Sequence, residues 1–314
     1  MNIQPLTVAD RVAWAELLAH AFERTLPHML DLWDWLYENF DLIAWGAWDG
    51  AQLVAQYAVL IRELYNPATH RYVKVGLSMN MAVHAAYRGR GLIKQVSRPV
   101  YEQLLMQGGI AGVGFSNADG VQVDRHSKSY GYRVIGQLRS WVGLIKPTRA
   151  APLLLSDRWL TATNASAGDV PTQIQFRNSP ALLYRRLACH PFRTYHYGTW
   201  SVGDDTGGIV VYRPITFGGL SGVALLAAYP CQRSALPELL ARLCAALRQI
   251  GVMFVHLLTT PTSAISAALH QSAIGIPLPL SRTPYYLTIK PLDNKLPAGF
   301  MNFSGWDCSG GDIL

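Results

Sequence analysis

Hydrophobic residues recur along the chain with two different periods, and the changes of period mark the predicted elements. Apolar residues at helical spacing predict helices over 11–22, with Asp10 as a candidate N-cap, and over 29–39. The stretch 43–61 predicts two strands joined at Asp49-Gly50, because Asp-Gly is a strong hairpin signal. The first third of the chain therefore reads as helices followed by a sheet.

The clearest strand is predicted over 72–83, where every odd position from Val73 to Val83 is apolar. Strict alternation buries one face of a strand and turns the other toward a more polar environment. A helix over 92–106, which contains Pro99, and a strand over 109–117 follow. A strand, a helix and a second strand in this order predict a crossover onto a parallel neighbour.

The second half of the chain repeats this pattern loosely. Residues 234–251 predict an amphipathic helix with Ser234 as N-cap and Gly251 at its end, and the apolar run 252–258 predicts a buried strand. Pro, Ser, Thr and Gly are concentrated in 146–172, which we interpret as a linker region. We therefore expect two α/β domains, 1–147 and 148–314.

Composition narrows the class of protein. Half of the 314 residues are hydrophobic and 15% are charged, which argues against disorder, and the formal net charge is +7. A mild positive excess without a lysine- or arginine-rich block suits an anionic small molecule, so no nucleic-acid partner is expected. Four scattered cysteines indicate a reducing compartment rather than a metal site, and we find no signal peptide or membrane-length apolar run. These features predict a cytoplasmic protein.

Between the strand and the helix of the first half stands a basic turn, Arg88-Gly89-Arg90-Gly91. A helix N-terminus exposes unpaired N–H groups and a partial positive charge. Glycine lets a ligand approach the backbone closely, and arginine offers paired donors to phosphate oxygens. The turn therefore predicts a diphosphate site, although it matches neither the dinucleotide nor the P-loop pattern.

The stretch "VHAAYRGRGLIKQV" resembles the acyl-CoA-binding loop of the GCN5-related N-acetyltransferase (GNAT) superfamily. Arg88 and Gly91 match that family's Arg/Gln-x-x-Gly-x-Gly/Ala motif, whereas Ile93 departs from its last position. The segment "GFSNADGVQVDRHSKSYGYRVIG" is also similar, and it places Asn117 where a polar residue meets the pantetheine arm. The whole chain resembles tandem GNAT proteins in which the second copy is degenerate. The resemblance implies two domains, each with a mixed, largely antiparallel central sheet flanked by helices.

The same resemblance implies transfer of an acetyl or other acyl group from acyl-CoA to a primary amine. The backbone of the central strand would polarise the thioester carbonyl. The residues implied to bind the cofactor are Met81, Ala82, Val83, Arg88, Gly89, Arg90, Gly91, Leu92, Ile93 and Asn117. The candidate catalytic residues are Asn80, on the polar face of the strand, and Tyr130, since the family's usual tyrosine position holds Ser127 and His126 is the other nearby substitute. The base stays open between a bound water, Asp307, Asp312 and the terminal carboxylate of Leu314.

We expect the acceptor to be a small-molecule amine, with an amino sugar of glycan biosynthesis suggested by the resemblance of the tail "SGWDCSGGDIL" to chains of that kind. Two alternatives stay open: an aminoacyl-tRNA-dependent transferase of related tandem fold, and a non-catalytic binding module. The oligomeric state is also open, with a homodimer among the alternatives.

Overall fold

The computed structural model describes residues 1–117, 129–159, 171–202, 205–230, 232–269, 278–279, 284–293 and 296–313. The chain divides into two compact units, each assembled from separate segments. The first contains Met1–Leu64, Tyr72–Gly136 and Tyr286–Met301. The second contains Tyr65–Arg71, Gln137–Tyr285 and Asn302–Leu314.

The first unit combines helices with a sheet. Its helices are α1 (Arg11–Phe22), α2 (Leu26–Asn39) and α3 (Leu92–Met106). Its strands are β1 (Asn2–Pro5), β2 (Leu42–Asp49), β3 (Gln52–Asn66), β4 (Arg71–Val83), β5 (Gly109–Ser116) and, from near the end of the chain, β13 (Tyr285–Pro291).

The strand order in the first unit is β1-β2-β3-β4-β5-β13. The pairs β1/β2, β2/β3 and β5/β13 are antiparallel, whereas β4 and β5 are parallel. A parallel pair needs a long crossover, and α3 provides it. The structure thus confirms the predicted strand–helix–parallel strand unit around the basic turn.

The helix predictions are close to the observed bounds. Helices α1 and α3 begin and end where the apolar spacing placed them, although the side chain of Asp10 does not cap α1. Helix α2 begins three residues before the predicted start because Thr25 caps it, accepting a hydrogen bond from the N–H of His28 at 3.4 Å. Pro27 also fits the first turn, where its missing N–H costs nothing.

The second unit repeats this arrangement, but two of its described helices are short. Its helices are α4 (Pro180–Leu183), which continues as a π-helix over Tyr184–Ala188, α5 (Leu236–Gln249) and α6 (Ala264–Leu269). Its strands are β6 (Arg133–Leu144), β7 (Leu154–Ser156), β8 (His196–Val202), β9 (Asp205–Phe217), β10 (Leu220–Pro230), β11 (Phe254–Thr259) and β12 (Leu278–Pro279). The first residues of β6, up to Gly136, are assigned to the first unit.

The strand order in the second unit is β6-β11-β10-β9-β8-β7, with β12 beside β6. Strands β10 and β11 are parallel and are joined by α5, which packs its leucine stripe on them. The remaining described pairs are antiparallel. Helix α5 ends at Gln249, two residues before the predicted Gly251, whose φ of +79° suits glycine just past a helix end. Ser234 lies in a 3₁₀ turn, and Ala235 rather than Ser234 occupies the N-cap position.

The structure can be compared with the predicted linker and with the predicted domain boundary. The region interpreted as a linker contains β7, whose residues pair with β8, so Leu154–Ser156 belongs to the sheet of the second unit. The single domain boundary after residue 147 stays a prediction. The compact units do not follow one cut, because β13 completes the sheet of the first unit by pairing with β5.

None of the helices in the described ranges is both long enough and apolar enough to cross a bilayer.

Candidate active site

Strand β4 carries the first feature of the site, a reversal of its own alternation. Asn80 has a φ of +46°, a left-handed conformation that asparagine tolerates better than most residues. Beyond it the predicted burial pattern is wrong: Met81 is 43% exposed and Ala82 is 4% exposed. The left-handed residue shifts the alternation by one position there, so that Met81 faces solvent and Ala82 is covered.

The side-chain amide nitrogen of Asn80 is buried and has no hydrogen-bond partner among the described residues. A buried donor without a partner costs free energy, and an orphan of this kind marks a place for a ligand or a water. Strained backbone at the same residue is a second sign of a functional position.

A gap opens between β4 and β5 at this level. Their parallel pairing ends with Leu77 opposite Val113, although β4 continues to Val83 and β5 to Ser116, and both strands lie wholly within the described ranges. Backbone groups of Ser78–Val83 on that side therefore do not bond to β5. An extended ligand can insert there and use the strand's amides and carbonyls.

The basic turn follows directly. Gly89 and Gly91 have φ values of +79° and +69°, so both positions require the conformational freedom of glycine. Apart from its chain neighbours, no atom of the described residues lies within 4 Å of where a Cβ would stand on either glycine, so the turn is not covered by them. Gly91 is the N-cap of α3 and provides no side chain to the first turn, which leaves the amides of Leu92, Ile93 and Lys94 without a capping side chain.

The two arginines of the turn differ in their contacts. Arg90 donates to the backbone oxygen of Ala86 at 3.1 Å, and its guanidinium carbon lies 4.7 Å from the ring centroid of Tyr87. The hydroxyl of Tyr87 in turn donates to Asp49 at 2.7 Å. The backbone N–H of Arg88 donates to the Ala85 carbonyl at 3.3 Å, whereas its side chain is exposed and makes no hydrogen bond or ion pair with the described residues. Arg90 thus stiffens the turn, and Arg88 is available to an anion.

The departure at Ile93 has a structural explanation. Leu92 and Ile93 are buried in the apolar cluster beneath α3, so their side chains do not face the turn. Only their backbone N–H groups are offered to a ligand. A larger residue at the last motif position is therefore accommodated in the core rather than in front of the turn.

A cluster of hydroxyl groups lies where β4 and β5 separate, and the sequence analysis missed it. The hydroxyl of Tyr57, on β3, lies 2.7 Å from the Ser78 hydroxyl and 3.1 Å from that of Tyr132. Tyr101, on α3, hydrogen-bonds to both tyrosine hydroxyls. We call Tyr57, Tyr101, Tyr132 and Ser78 the hydroxyl cluster.

Burial gives the hydroxyl cluster its chemical character. It raises the pKa of Tyr57, and it raises the pKa values of Tyr101 and Tyr132 well above the ordinary 10.0. All three phenols are therefore protonated at neutral pH and are able to donate a proton. The ammonium of Lys290, 4.2 Å from the ring centroid of Tyr101, has a pKa lowered by burial and, secondarily, by Lys94.

A sequence signal for the hydroxyl cluster exists in β5. A Cβ on Gly112 would stand 2.8 Å from both Tyr101 and Tyr132, and one on Gly114 would stand 2.9 Å from Thr288. Alternate glycines on one face of a strand therefore indicate that bulky side chains cross it closely.

The other candidate residues are distributed as follows. Asn117 is exposed and directly follows β5, and Tyr130 is half-buried and packs at the edge of the apolar cluster beneath α3. Their roles stay predictions, and His126 and Ser127 lie outside the described residues. Both carboxylates suggested as bases act structurally in the second unit: Asp307 accepts from the N–H of Ala264, and Asp312 accepts from the N–H of Ser309. Leu314 lies outside the described residues.

Comparison with known proteins gives a consistent picture. Residues 2–116 match the family model of the acetyltransferase (GNAT) domain. A search of curated proteins finds no match. Among solved structures, the chain resembles a probable N-acyltransferase from Enterococcus faecalis V583, with 12% identity, a TM-score of 0.70, and coverage of 93% of this chain and 72% of that one.

Two further structures are similar. A GCN5-related N-acetyltransferase from Anabaena variabilis has 12% identity and a TM-score of 0.67, with coverage of 93% and 73%. A tandem GNAT protein from the clavulanic acid biosynthesis pathway has 14% identity and a TM-score of 0.55, with coverage of 94% and 99%. At these identities the similarity concerns the fold, which is that of two consecutive units of this architecture.

Proposed function

We propose that this chain, whose residues 2–116 are a GNAT acetyltransferase domain, transfers an acyl group from acyl-CoA to the primary amine of a small molecule. The family match and the fold support N-acyltransferase chemistry.

The observation that carries the proposal is the open corner at the start of α3. Two left-handed glycines, the uncapped first-turn amides and the exposed side chain of Arg88 lie next to one another there. Among the described residues, no atom stands within 4 Å of a Cβ built on either glycine. No acidic residue stands in the first turn of the helix. A diphosphate placed there would accept hydrogen bonds from the amides and from the guanidinium, and the helix dipole would favour its charge. This is the position we assign to the diphosphate of CoA.

The gap between β4 and β5 suits the extended arm of the same molecule. Backbone groups beyond Leu77 are not paired with β5, and the buried amide of Asn80 lacks a partner. A pantetheine arm carries amide groups that would satisfy both. The strand segment Met81–Val83 continues from this gap toward the basic turn, which agrees with its expected role beside the thioester.

The reaction needs two proton movements. The amine nitrogen forms a bond to the acyl carbon, the carbon–sulfur bond breaks, the amine loses a proton and the thiolate gains one. We propose that the hydroxyl cluster supplies the proton to sulfur, since its phenols are protonated at neutral pH and Ser78 lies at the mouth of the gap. Tyr130 and Asn80 stay as predicted catalytic residues, with Asn80 the better supported because its amide is orphaned.

The test of the cofactor assignment is calorimetric titration with acetyl-CoA. Arg88→Ala should weaken binding by about tenfold, the value of one charge-assisted contact to phosphate. Arg98→Ala is the matched control, because Arg98 is an exposed arginine further along α3 whose ion pair with Glu102 contributes little. Equal affinity of both variants, or no binding by the unaltered protein, would contradict the proposal.

For the acceptor we propose an amino sugar, on the resemblance of the chain's tail to proteins of surface-glycan chemistry. Release of the CoA thiol should be faster with 2-amino-2-deoxy sugars than with ethanolamine, a primary amine without a sugar ring. Equal or faster release with ethanolamine would retain the transferase and reject the amino sugar.

A further inference from the structure

A cavity of about 420 Å³ lies within the second unit, and the transferase chemistry proposed above does not use it. Its volume is in the range of small-molecule sites. The lining combines apolar side chains with positively charged ones, and none of the described residues that line it is Asp or Glu. The charged residues of the lining and its histidines are Arg186, Arg193, Arg213, His190 and His256.

One side of the cavity is a row of residues across three strands. Arg213 of β9 pairs in register with Ala224 of β10, which pairs in register with His256 of β11. Residues directly opposite one another in a sheet project from the same face. Their neighbours Val223 and Val255 project from the other face and pack against α5. The small side chain of Ala224 between two long polar ones leaves room for a ligand.

One wall is formed by Arg186, which is 2% exposed. Its guanidinium donates to the carbonyl of Gly311 and, at 3.5 Å, to the side-chain oxygen of Asn178. Its Nε is buried and has no hydrogen-bond partner among the described residues. A buried guanidinium with an unused donor, inside a cavity, indicates an acceptor that comes from outside the chain.

The charge of the cavity comes from its arginines. Burial lowers the pKa of His256, whose Nε2 lies 2.7 Å from the Ser140 hydroxyl, so this histidine is neutral near pH 7. Arg193 and Arg213 are exposed at the rim and remain charged, as does Arg186. Three arginines around one small space, with no carboxylate among its described lining residues, are stable together when an anion lies among them.

We infer that this cavity binds a small molecule with an oxyanion group, phosphate or carboxylate, held by Arg186, Arg193 and Arg213 and with an apolar portion against the leucine and isoleucine side chains of the lining. The apolar lining includes Leu187, Ile215, Leu226, Leu258 and Ile313. The inference does not depend on acyl-CoA binding, since every residue it uses belongs to the second unit.

The experiment is titration of the full chain with sodium pyrophosphate and, separately, with citrate, at constant ionic strength, followed by calorimetry. We expect one of these probes to bind at the cavity, and the more tightly bound one shows whether the oxyanion is phosphate or carboxylate. The double variant Arg193→Gln/Arg213→Gln should lose at least about tenfold in affinity. Both changes are at exposed positions, so the fold should be retained, and circular dichroism confirms that.

Two variants separate the cavity from other sites. Arg248→Gln removes a charge from an exposed position at the end of α5, outside the lining, and should bind as the unaltered protein does. Arg88→Ala tests whether pyrophosphate binds at the corner of α3 instead. The inference is overturned if neither probe binds, or if the affinity falls in Arg88→Ala and not in the double variant.

Discussion

The two units share one crossover, and its two copies differ at the point where the helix begins. Helix α3 starts behind two left-handed glycines, with Lys94 in its first turn and no acidic residue there. Helix α5 starts behind the 3₁₀ turn Arg233–Ala235, with Pro237 at its second position and Glu238 in its first turn. Proline removes a donor and glutamate opposes an anion, so the second corner lacks the features that make the first attractive to a diphosphate.

The gaps beyond the parallel pairs β4/β5 and β10/β11 also differ between the two units. In both units parallel pairing stops early, at Leu77 in β4 and at Leu225 in β10. In the second unit the chain's own tail occupies the space beyond: Ser309 pairs with Thr259 of β11, and its hydroxyl donates to the carbonyl of Leu226 at 2.7 Å. Cys308 accepts from the N–H of Thr260 at 3.0 Å.

This difference shows how the second unit keeps the fold while it lacks the open helix start and the open strand gap of the first unit. The unpaired strand edges of an open crossover need a partner, because buried backbone groups are costly when unsatisfied. In the first unit we assign that partner to a substrate. In the second unit residues 306–312 provide that partner, so the space beside β10 and β11 is filled by the chain itself.

The largest effect is expected from removing the side chain that anchors the tail. Trp306 is fully buried, and Trp306→Ala should lower the free energy of unfolding by about 3–5 kcal/mol, the usual cost of a large aromatic-to-alanine change in a core. Urea unfolding followed by circular dichroism measures it. Leu220→Ala, at a half-exposed leucine of the same unit, should change stability by less than about 0.5 kcal/mol. A loss below about 1 kcal/mol for Trp306→Ala would show that the tail is not part of the packed unit.

Gly91→Glu should make the start of α3 resemble the start of α5, which has a glutamate in its first turn. We expect it to weaken acetyl-CoA binding by about a hundredfold. The change forces a side chain onto a φ of +69° and places a carboxylate where the diphosphate is expected. Calorimetry or competition with a fluorescent CoA analogue measures the loss.

The control for this change is Gly108→Glu, since Gly108 has a φ of +81° and equally open surroundings but follows α3 rather than preceding it. It carries the same backbone strain without approaching the corner. Similar losses of affinity in the two variants would attribute the effect to strain and remove the distinction between the corners.

Much of the first unit was predictable from sequence because its signals are local. Alternation, the Asp49-Gly50 hairpin and the apolar spacing of α3 each follow from neighbouring residues, and so does the chemistry of the basic turn. The reversal at Asn80 was not predictable by alternation, since the pattern of residue types runs on unbroken while the backbone conformation changes. Beyond Asn80 the burial of Met81 and Ala82 is therefore the reverse of what alternation predicts.

The remaining features depend on tertiary structure. The hydroxyl cluster draws Tyr57, Tyr101 and Tyr132 from a strand, a helix and the start of another strand, and no spacing along the chain connects them. The cavity of the second unit likewise unites residues that are up to 127 positions apart, from Arg186 to Ile313. The packing of the tail against the second unit could not be predicted from local sequence, because its hydrogen-bond partners lie much earlier in the chain. Thr260, for example, precedes Cys308 by 48 residues.

The smallest effect concerns proton transfer, and it compares a tyrosine from each unit. Tyr132→Phe removes one hydroxyl of the cluster and should lower kcat by about tenfold with KM for acetyl-CoA unchanged, because the group acts on the leaving sulfur and not on binding. Tyr212→Phe is the matched change in the second unit, where burial also raises the pKa of the phenol, and should leave kcat unaltered.

The raised pKa of Tyr132 sets the sign of the pH dependence. A proton donor is lost as pH rises through its pKa, so a value above 10.0 places that loss beyond pH 10, and the unaltered protein should show no alkaline fall in kcat below it. Loss of kcat in Tyr130→Phe, with Tyr132→Phe fully active, would transfer the role to Tyr130 and leave the hydroxyl cluster as packing between β3, β4, α3 and the residue before β6.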